Sequence, residues 1–450
     1  MFNRNLHLSL QKWKRKKTRK PLIIRGARQV GKTTVVHQFG KEFRQYIYLN
    51  LELPEDKQAF EQFSSIETLL ETIFFLKNKQ LSLKKETLLF IDEIQEVPEA
   101  IHLLRYFYEQ APDLHVIAAG SMLETLFGKN ISFPVGRVEY LVLRPVSFPE
   151  FLAAIGETQA LIQLEKIPIA DFAHDKLLQL FHTYALIGGM PEIVAHYAEN
   201  KDITALNTTY DALIASYIDD VEKYAVSNAQ IQLIRHAITA SFRQAGKRIK
   251  FQNFGNSSYA SREMGESLRT LQKTFLLYLI YPTVSATLPL SPDLKKSPRL
   301  QVLDTGMLNY FSGIQVEIIN TKDLSDVYKG TMIEHLVGQE LLATQTDALS
   351  TLNFWVREKN TSSAEIDFIR LFDSKLIPIE VKSGKEGKLK SLHQYMLDAP
   401  HNMAIRFYGG KLQLSEVTIS PEKKYHLLSL PYYLVSQIDF YLTWFMGKIK

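Results

Sequence analysis

The sequence predicts a multidomain α/β protein: a parallel sheet with its helices at the N-terminus, then a helical stretch, a mixed middle region and a second α/β unit. Three observations predict it. "PLIIRGARQVGKTT", residues 21–34, runs from a short apolar strand through a glycine-spaced loop into a helix. "ETLLFIDEIQEV" and "LHVIAAGS" are apolar runs ending in polar residues, the pattern of strands buried on both faces of a parallel sheet. "LNFWVREKNTSSAEIDFIRLFDSKLIPIEVKSGKEGKLKSLHQY", residues 352–395, alternates strand and turn signals before a helix.

At 450 residues the chain has room for roughly two to four domains. Apolar residues make up 46% and charged residues 22%, the balance of a globular protein with ordinary cores. Cysteine is absent, which excludes disulfides, thiolate metal sites and a cysteine nucleophile, and suits a reducing, cytoplasmic location. The net charge of +5 permits an anionic partner without requiring one. The most apolar run, "FLLYLIYPTVSATLPL", is broken by prolines well short of a membrane span.

Taken in order, the first feature is "QKWKRKKTRK", with seven basic residues in ten. It suits either contact with a phosphate backbone or a solvated segment ahead of the first strand. The strand Leu22–Ile24 follows and ends in Gly26, and the spacing to Gly31-Lys32-Thr33 is GxxxxGK[ST]. Such glycines let a loop, here also carrying Gln29, Val30 and Thr34, wrap a polyphosphate with its backbone N–H groups inward. Lys32 then reaches the β- and γ-phosphates of ATP, and the Thr33 hydroxyl joins the shell of Mg²⁺.

The second strand ends in Asp92 and Glu93. Ligands gather at the carboxyl ends of parallel strands, so Asp92 is placed to hold Mg²⁺ and Glu93 to polarise the attacking water. A helix starting near Pro98 leads to the third strand, whose end puts Ser121 within reach of the γ-phosphate or the water. Arg137, in "FPVGRVEYLVLRPVSFPEF", is either an arginine finger offered to a neighbouring subunit or a surface ion-pair residue. Residues 1–150 form this ATP-binding unit.

Residues 151–227 carry apolar side chains at helical spacing and are read as a helical lid. Residues 228–305 read as a helix, a short basic segment, a second helix and a helix leading into a strand. That order resembles a winged helix, and Arg243, Lys247, Arg248, Lys250, Arg262 and Arg269 make it basic. The alternative is a domain that only packs on its neighbours or binds protein.

Within 306–450, side chains two apart on a strand share a face, so Glu365 pairs with Asp367 and Glu380 with Lys382. A turn at "DSK" brings Asp367 and Glu380 onto adjacent strands. This D…ExK pattern resembles the PD-(D/E)XK nucleases. The resemblance implies Asp367 and Glu380 as Mg²⁺ ligands, Lys382 as the group that positions water, and Glu334 on the preceding helix as a third ligand. Three readings stay open: a nuclease, a nuclease shell that binds without cutting, and an ordinary hairpin.

The segments "RGARQVGKTT", "LLFIDEIQEVP", "AAGS", "GRVEYLVLRPVSFPEF" and "YALIGGMPEIV" stand in the order found in prokaryotic AAA-type ATPases that carry a restriction-endonuclease-like C-terminal region. The resemblance spans nearly the whole chain. It implies ATP hydrolysis with Mg²⁺ and assembly into a homo-oligomeric ring such as a hexamer. It also implies that Gly189-Met190-Pro191 helps hold the nucleotide base, with Pro191 against the ligand. The basic middle region and the D…ExK pattern beside the P-loop point to action on DNA, the alternative being a nucleotide-driven switch or remodeller of protein partners with a silent nuclease-like domain. Read from the residues alone, "IGGMPE" is a helix stop followed by a proline start.

Overall fold

In the computed structural model, which describes residues 4–61, 65–120, 134, 136–223, 225, 227–315, 330–359, 362–384 and 389–449, the chain opens on a helix, α1 (Leu6–Lys14). The basic run is therefore not a plain solvated lead-in. Leu6, Leu10 and Trp13, spaced four and three apart, bury one face of α1, while its basic residues straddle the helix end. Lys14 stands 3.9 Å over the Phe43 ring and Lys16 pairs with Glu139 at 2.5 Å.

The N-terminal sheet is built from β1 (Leu22–Arg25), β2 (Gln45–Asn50), β3 (Thr87–Asp92), β4 (His115–Ala119) and β5 (Glu139–Val142). Its order is β2-β3-β4-β1-β5, with every pairing parallel. Helix α2 (Lys32–Gly40) lies between β1 and β2. Helices α3 (Pro54–Glu61) and α4 (Ile66–Leu76) lie between β2 and β3, and α5 (Pro98–Gln110) between β3 and β4. β3 and β4 are buried at every position, as their unbroken apolar runs predict. The carboxyl ends of β1, β3 and β4 therefore open on one edge.

Helices α6 (Phe148–Ala154), α7 (Thr158–Leu164), α8 (His174–Ile187), α9 (Pro191–Asn200) and α10 (Asn207–Asp219) occupy the stretch that the sequence reads as a helical lid. The division placed after residue 150 falls inside α6, whose start is fixed by a capping box between Ser147 and Glu150. The middle region holds α11 (Asn228–Gln244), α12 (Ser261–Lys273), β6 (Leu277–Ile280), β7 (Pro282–Thr283) and β8 (Arg299–Val302). The helix expected between α11 and α12 is a single turn, Phe254–Asn256, because Asn253, Gly255 and Asn256 all take left-handed backbone angles. β6 and β8 pair antiparallel.

After α13 (Thr305–Phe311) comes α14 (Gly330–Ala343), then β9 (Phe354–Lys359) and β10 (Ser362–Ile366), which form a small sheet with β7. A second, mixed sheet contains β11 (Phe368–Phe372), β12 (Lys375–Val381), β13 (Met403–Tyr408), β14 (Gln413–Ser420) and β15 (Lys423–Pro431) in the order β11-β12-β13-β15-β14. α15 (Lys390–Asp398) packs on one of its faces through Leu392 and Tyr395. On the other, Ile377 and Ile379 join the cluster that holds Ile333 and Val337 of α14. α16 (Ile438–Lys448) closes the described chain. Among the described residues no helix is long and apolar enough to cross a membrane.

One apolar core runs from Leu6 to Phe445, so the regions are welded rather than strung together. Glu340 of α14 sits in that weld, fully buried. The Tyr184 hydroxyl lies 2.6 Å from Glu340 Oε1 and 2.8 Å from the Val146 carbonyl, yet it has one proton to give. A proton on Glu340 satisfies both contacts, which agrees with burial pushing this carboxyl up to about 8. The folded state then binds a proton that the unfolded state releases, so stability falls as pH rises from about 4.5 to about 8. Each pH unit in that window removes up to about 1.4 kcal/mol. Glu340→Gln, a neutral isostere, should flatten this decline relative to wild type in denaturant titrations at pH 5 and pH 8. Parallel pH profiles for the two proteins would show that Glu340 is ionised throughout.

Candidate functional site

Two glycines let the loop after β1 take its shape. Gly26 has φ 146°, and a Cβ there would stand 2.2 Å from the Leu143 carbonyl oxygen. Gly31 has φ 91° at the start of α2. The loop walls a cleft of about 650 Å³ lined by Gln29, Gly31, Lys32, Thr33, Thr34 and Glu93 on one side and by Pro191 of α9 on the other.

Lys32 is buried and points back into the loop, donating to the Gly26 carbonyl at 3.1 Å and the Ala27 carbonyl at 2.8 Å. Burial pushes its ammonium down to about 8, with Glu93 and Asp92 opposing the shift. A desolvated cation whose hydrogen bonds among the described residues go to two carbonyls is a strong attractor for an anion. The Thr33 hydroxyl donates to Asp92 Oδ2 at 2.6 Å, so the P-loop and the end of β3 meet as their spacing predicts. Burial raises the Asp92 carboxyl, with the Thr33 hydrogen bond opposing. Glu93 holds a left-handed backbone, φ 49°, which for a glutamate is strained by about 1–3 kcal/mol. That turn sets its side chain on the cleft, where Gln95 Nε2 donates to it at 2.5 Å.

Four features of the site carry no local signal in the sequence. Arg4, ahead of α1, donates to the Val30 carbonyl at 2.9 Å and pairs with Glu150 at 3.1 Å, bracing the loop from beneath. Arg28, on the cleft, pairs with Asp220 beyond α10, and Tyr217 donates to the Arg28 carbonyl at 2.6 Å. Ser216 donates to Gln29 at 3.3 Å. These contacts pin the end of α10 to the loop. Asp304, fully buried before α13, accepts from the Gly189 N–H at 2.6 Å and the Met307 N–H at 2.9 Å. The Gly189 carbonyl in turn accepts from Val146 N–H at 2.6 Å. Gly188 and Gly189 are needed here, because a Cβ on either would lie 2.3 Å from Asp304 or Val146 oxygen. The anchored turn delivers Pro191 to the cleft, with its Cγ 3.8 Å from where a Gly31 Cβ would stand.

Residues 18–152 match the family described as an AAA domain. This segment is similar to an AAA domain, and its loop has the GxxxxGK[ST] form of a P-loop. Downstream of it, residues 178–317 and 329–430 match two families described only as domains of unknown function, DUF8612 and DUF4143. The chain is 25% identical over 386 residues to the uncharacterized protein MJ1544 of Methanocaldococcus jannaschii, covering 83% of this chain and 77% of that one. Among solved structures it resembles the Walker-type ATPase paby2304 of Pyrococcus abyssi, with TM-score 0.44 and 15% identity over 69% of this chain and 96% of that one. It also resembles the S. cerevisiae Hsp104–ADP complex, with TM-score 0.29 and 13% identity over 60% of this chain and 38% of that one. These are loose likenesses, and the reading of the site rests on its residues.

Of the remaining residues expected at the AAA domain's site, Ser121 lies outside the described residues. Arg137 stands near the edge strand β5, 43% exposed, and pairs with Glu109 at 2.9 Å.

The C-terminal carboxylates form a second cluster. β11 and β12 pair Phe368 with Ile379, which sets Asp367 beside Glu380 as expected. Asp367 Oδ2 accepts the Val381 N–H at 2.7 Å, and Lys382 pairs with Glu380. The cation between Asp367 and Glu334 is one that sequence reasoning did not anticipate. Arg299, at the start of β8, is 5% exposed and pairs with Glu365. It also donates to the Asp367 carbonyl at 2.9 Å and stands 3.6 Å from Glu334 and 3.8 Å from Asp367 Oδ1. Burial pushes Glu334 and Glu380 up to about 8. Among the described residues no group of three or more His, Asp or Glu side chains is arranged to hold a metal ion. Of the expected ligand set, Glu334 and Asp367 are gathered by a guanidinium and Glu380 by Lys382, and these residues as placed do not fit Mg²⁺.

Proposed function

We propose that this chain is a cytoplasmic ATP hydrolase that works on DNA as an assembly of copies, with a C-terminal region that binds rather than cuts. The observation that carries the hydrolase reading is the buried Lys32 beside the Thr33–Asp92 pair on the floor of the cleft. Two hard oxygens so placed fit Mg²⁺, which when bound supplies charge neutralisation on the phosphates. Backbone N–H groups from Gln29 to Thr34 cradle the polyphosphate of ATP, and Lys32 turns from its two carbonyls to the β- and γ-phosphates. Glu93 accepts the proton of the attacking water and orients it. Ser121 is assigned to the same water or the γ-phosphate, and Pro191 to the face of the base. Arg137 is assigned as the finger given to a neighbour in a ring, a hexamer being the size expected of the family. Arg137→Ala with full hydrolysis would remove it from that role.

DNA is the partner favoured by a basic cleft in the middle region, also about 650 Å³, lined by Arg248, Lys250, Lys295 and Lys296. Asp293 and Glu358 share its wall, and Glu358 neutralises Arg248 and Lys296, which leaves Lys250 and Lys295 exposed to meet phosphates. Lys250→Ala with Lys295→Ala should weaken duplex binding uniformly across sequences. The slope of log K against log salt should fall by about two. Salt-insensitive binding, or none, would remove DNA as the partner. A second reading, a remodeller of proteins, draws on α12, whose exposed face mixes Glu263 and Glu266 with Arg262 and Arg269. ATPase stimulation by a protein and not by any DNA would select it.

A further inference from the structure

We propose that Arg299 is a built-in cation that occupies the C-terminal carboxylate cluster, latching the β6–β8 pair to α14, β10 and the turn before β11 and excluding a divalent ion while it is seated. The guanidinium enters from a different region of the chain, 66 residues before Glu365 and 68 before Asp367. It lies between rings as well as charges, 4.8 Å from the centroid of Phe354 and 5.7 Å from that of Phe368, so its planar group is held on several sides. Its partners belong to three elements: Glu334 to α14, Glu365 to β10, and Asp367 to the turn between β10 and β11. A surface arginine in a casual ion pair has neither this burial nor this number of partners.

The cluster keeps an unused valence. Glu380 Oε2 is buried and has no hydrogen-bond partner among the described residues, while its other oxygen pairs with Lys382. Among the described residues, Asp367 Oδ1 is approached by Arg299 at 3.8 Å. Adjacent strands therefore present two carboxylate oxygens in the field of two fixed cations, the guanidinium against Asp367 and the Lys382 ammonium against Glu380. A divalent ion placed against them meets that positive charge in a desolvated setting, where repulsion is poorly screened. Removing the arginine leaves oxygens of a kind that hard cations accept.

The test uses the full chain without nucleotide, with Mn²⁺ as the probe, read by loss of the free-ion paramagnetic resonance signal and by thermal denaturation. Because nucleotide is absent, the outcome does not depend on the ATPase reading. Wild type should show no Mn²⁺ uptake that Asp367→Asn removes, and Mn²⁺ should not raise its Tm through this site. Arg299→Met should gain one site per chain, with at least tenfold tighter Mn²⁺ binding than wild type and a Tm that rises with Mn²⁺. Adding Asp367→Asn and Glu380→Gln to Arg299→Met should abolish that gain. A folded Arg299→Met protein that binds no Mn²⁺ overturns the proposal. So does wild-type uptake that Asp367→Asn abolishes, since ion and arginine would then coexist. If Arg299→Met does not fold, the wild-type and Asp367→Asn pair decides. Equal Mn²⁺ uptake with a lower Tm for Asp367→Asn supports the latch.

Discussion

Glu93→Gln should leave ATP bound while slowing its hydrolysis by about 10²–10⁴-fold, the usual contribution of a positioned general base. The substitution keeps the side chain's size and its place on the strained turn after β3, and it removes only the charge that draws a proton from water. It also removes a negative charge near the Lys32 ammonium, so nucleotide affinity should hold or tighten. Lys32→Ala should do the opposite and lose binding itself. Measuring fluorescent-nucleotide Kd and kcat on both variants separates the two roles. Equal kcat for wild type and Glu93→Gln would dismiss Glu93 as the base.

Asp304→Ala should produce the second large effect, on stability and nucleotide affinity together. Asp304 is fully buried and accepts from Gly189 N–H and Met307 N–H, so its removal strands donors that water cannot reach. Each stranded donor costs about 1–3 kcal/mol. A loss of roughly 3 kcal/mol, several degrees in Tm, is expected. The Gly188–Gly189 turn then loses its anchor, Pro191 is no longer held against the cleft, and the Kd for ATP should rise. An unchanged Tm would mean that Val146 alone secures the turn.

What could be read in advance follows from how far apart the partners lie in the chain. The P-loop, Asp92 and Glu93 were legible because each is defined by local spacing and by its place at the end of an apolar strand. The Asp367–Glu380 juxtaposition was legible because one turn joins its two strands. Arg4 with Glu150, Arg28 with Asp220, and Gly189 with Asp304 span 146, 192 and 115 residues, and no periodicity reports such meetings. α1 did leave a signal, Leu6, Leu10 and Trp13 on one face, but the density of lysine and arginine around it masked the helical spacing. Arg299 was hidden for a further reason. The D…ExK pattern specifies carboxylates and a lysine and says nothing of which cation sits between them.

The lid contacts and the Asp304 anchor also give the chain a route by which the cleft can be felt elsewhere. α14 carries Gln339 and Glu340 against Thr305 and Tyr184, and Glu334 against Arg299. One helix therefore touches both the support of the nucleotide turn and the C-terminal carboxylates. Any shift of the Pro191 turn on nucleotide binding has rigid, packed neighbours through which to act.

The most direct measurement is phosphate release from ATP by the full chain with Mg²⁺, run side by side for wild type and Lys32→Ala. Turnover by wild type that Lys32→Ala abolishes is the predicted result. No turnover by wild type with or without DNA, or equal turnover by the two proteins, would contradict the account.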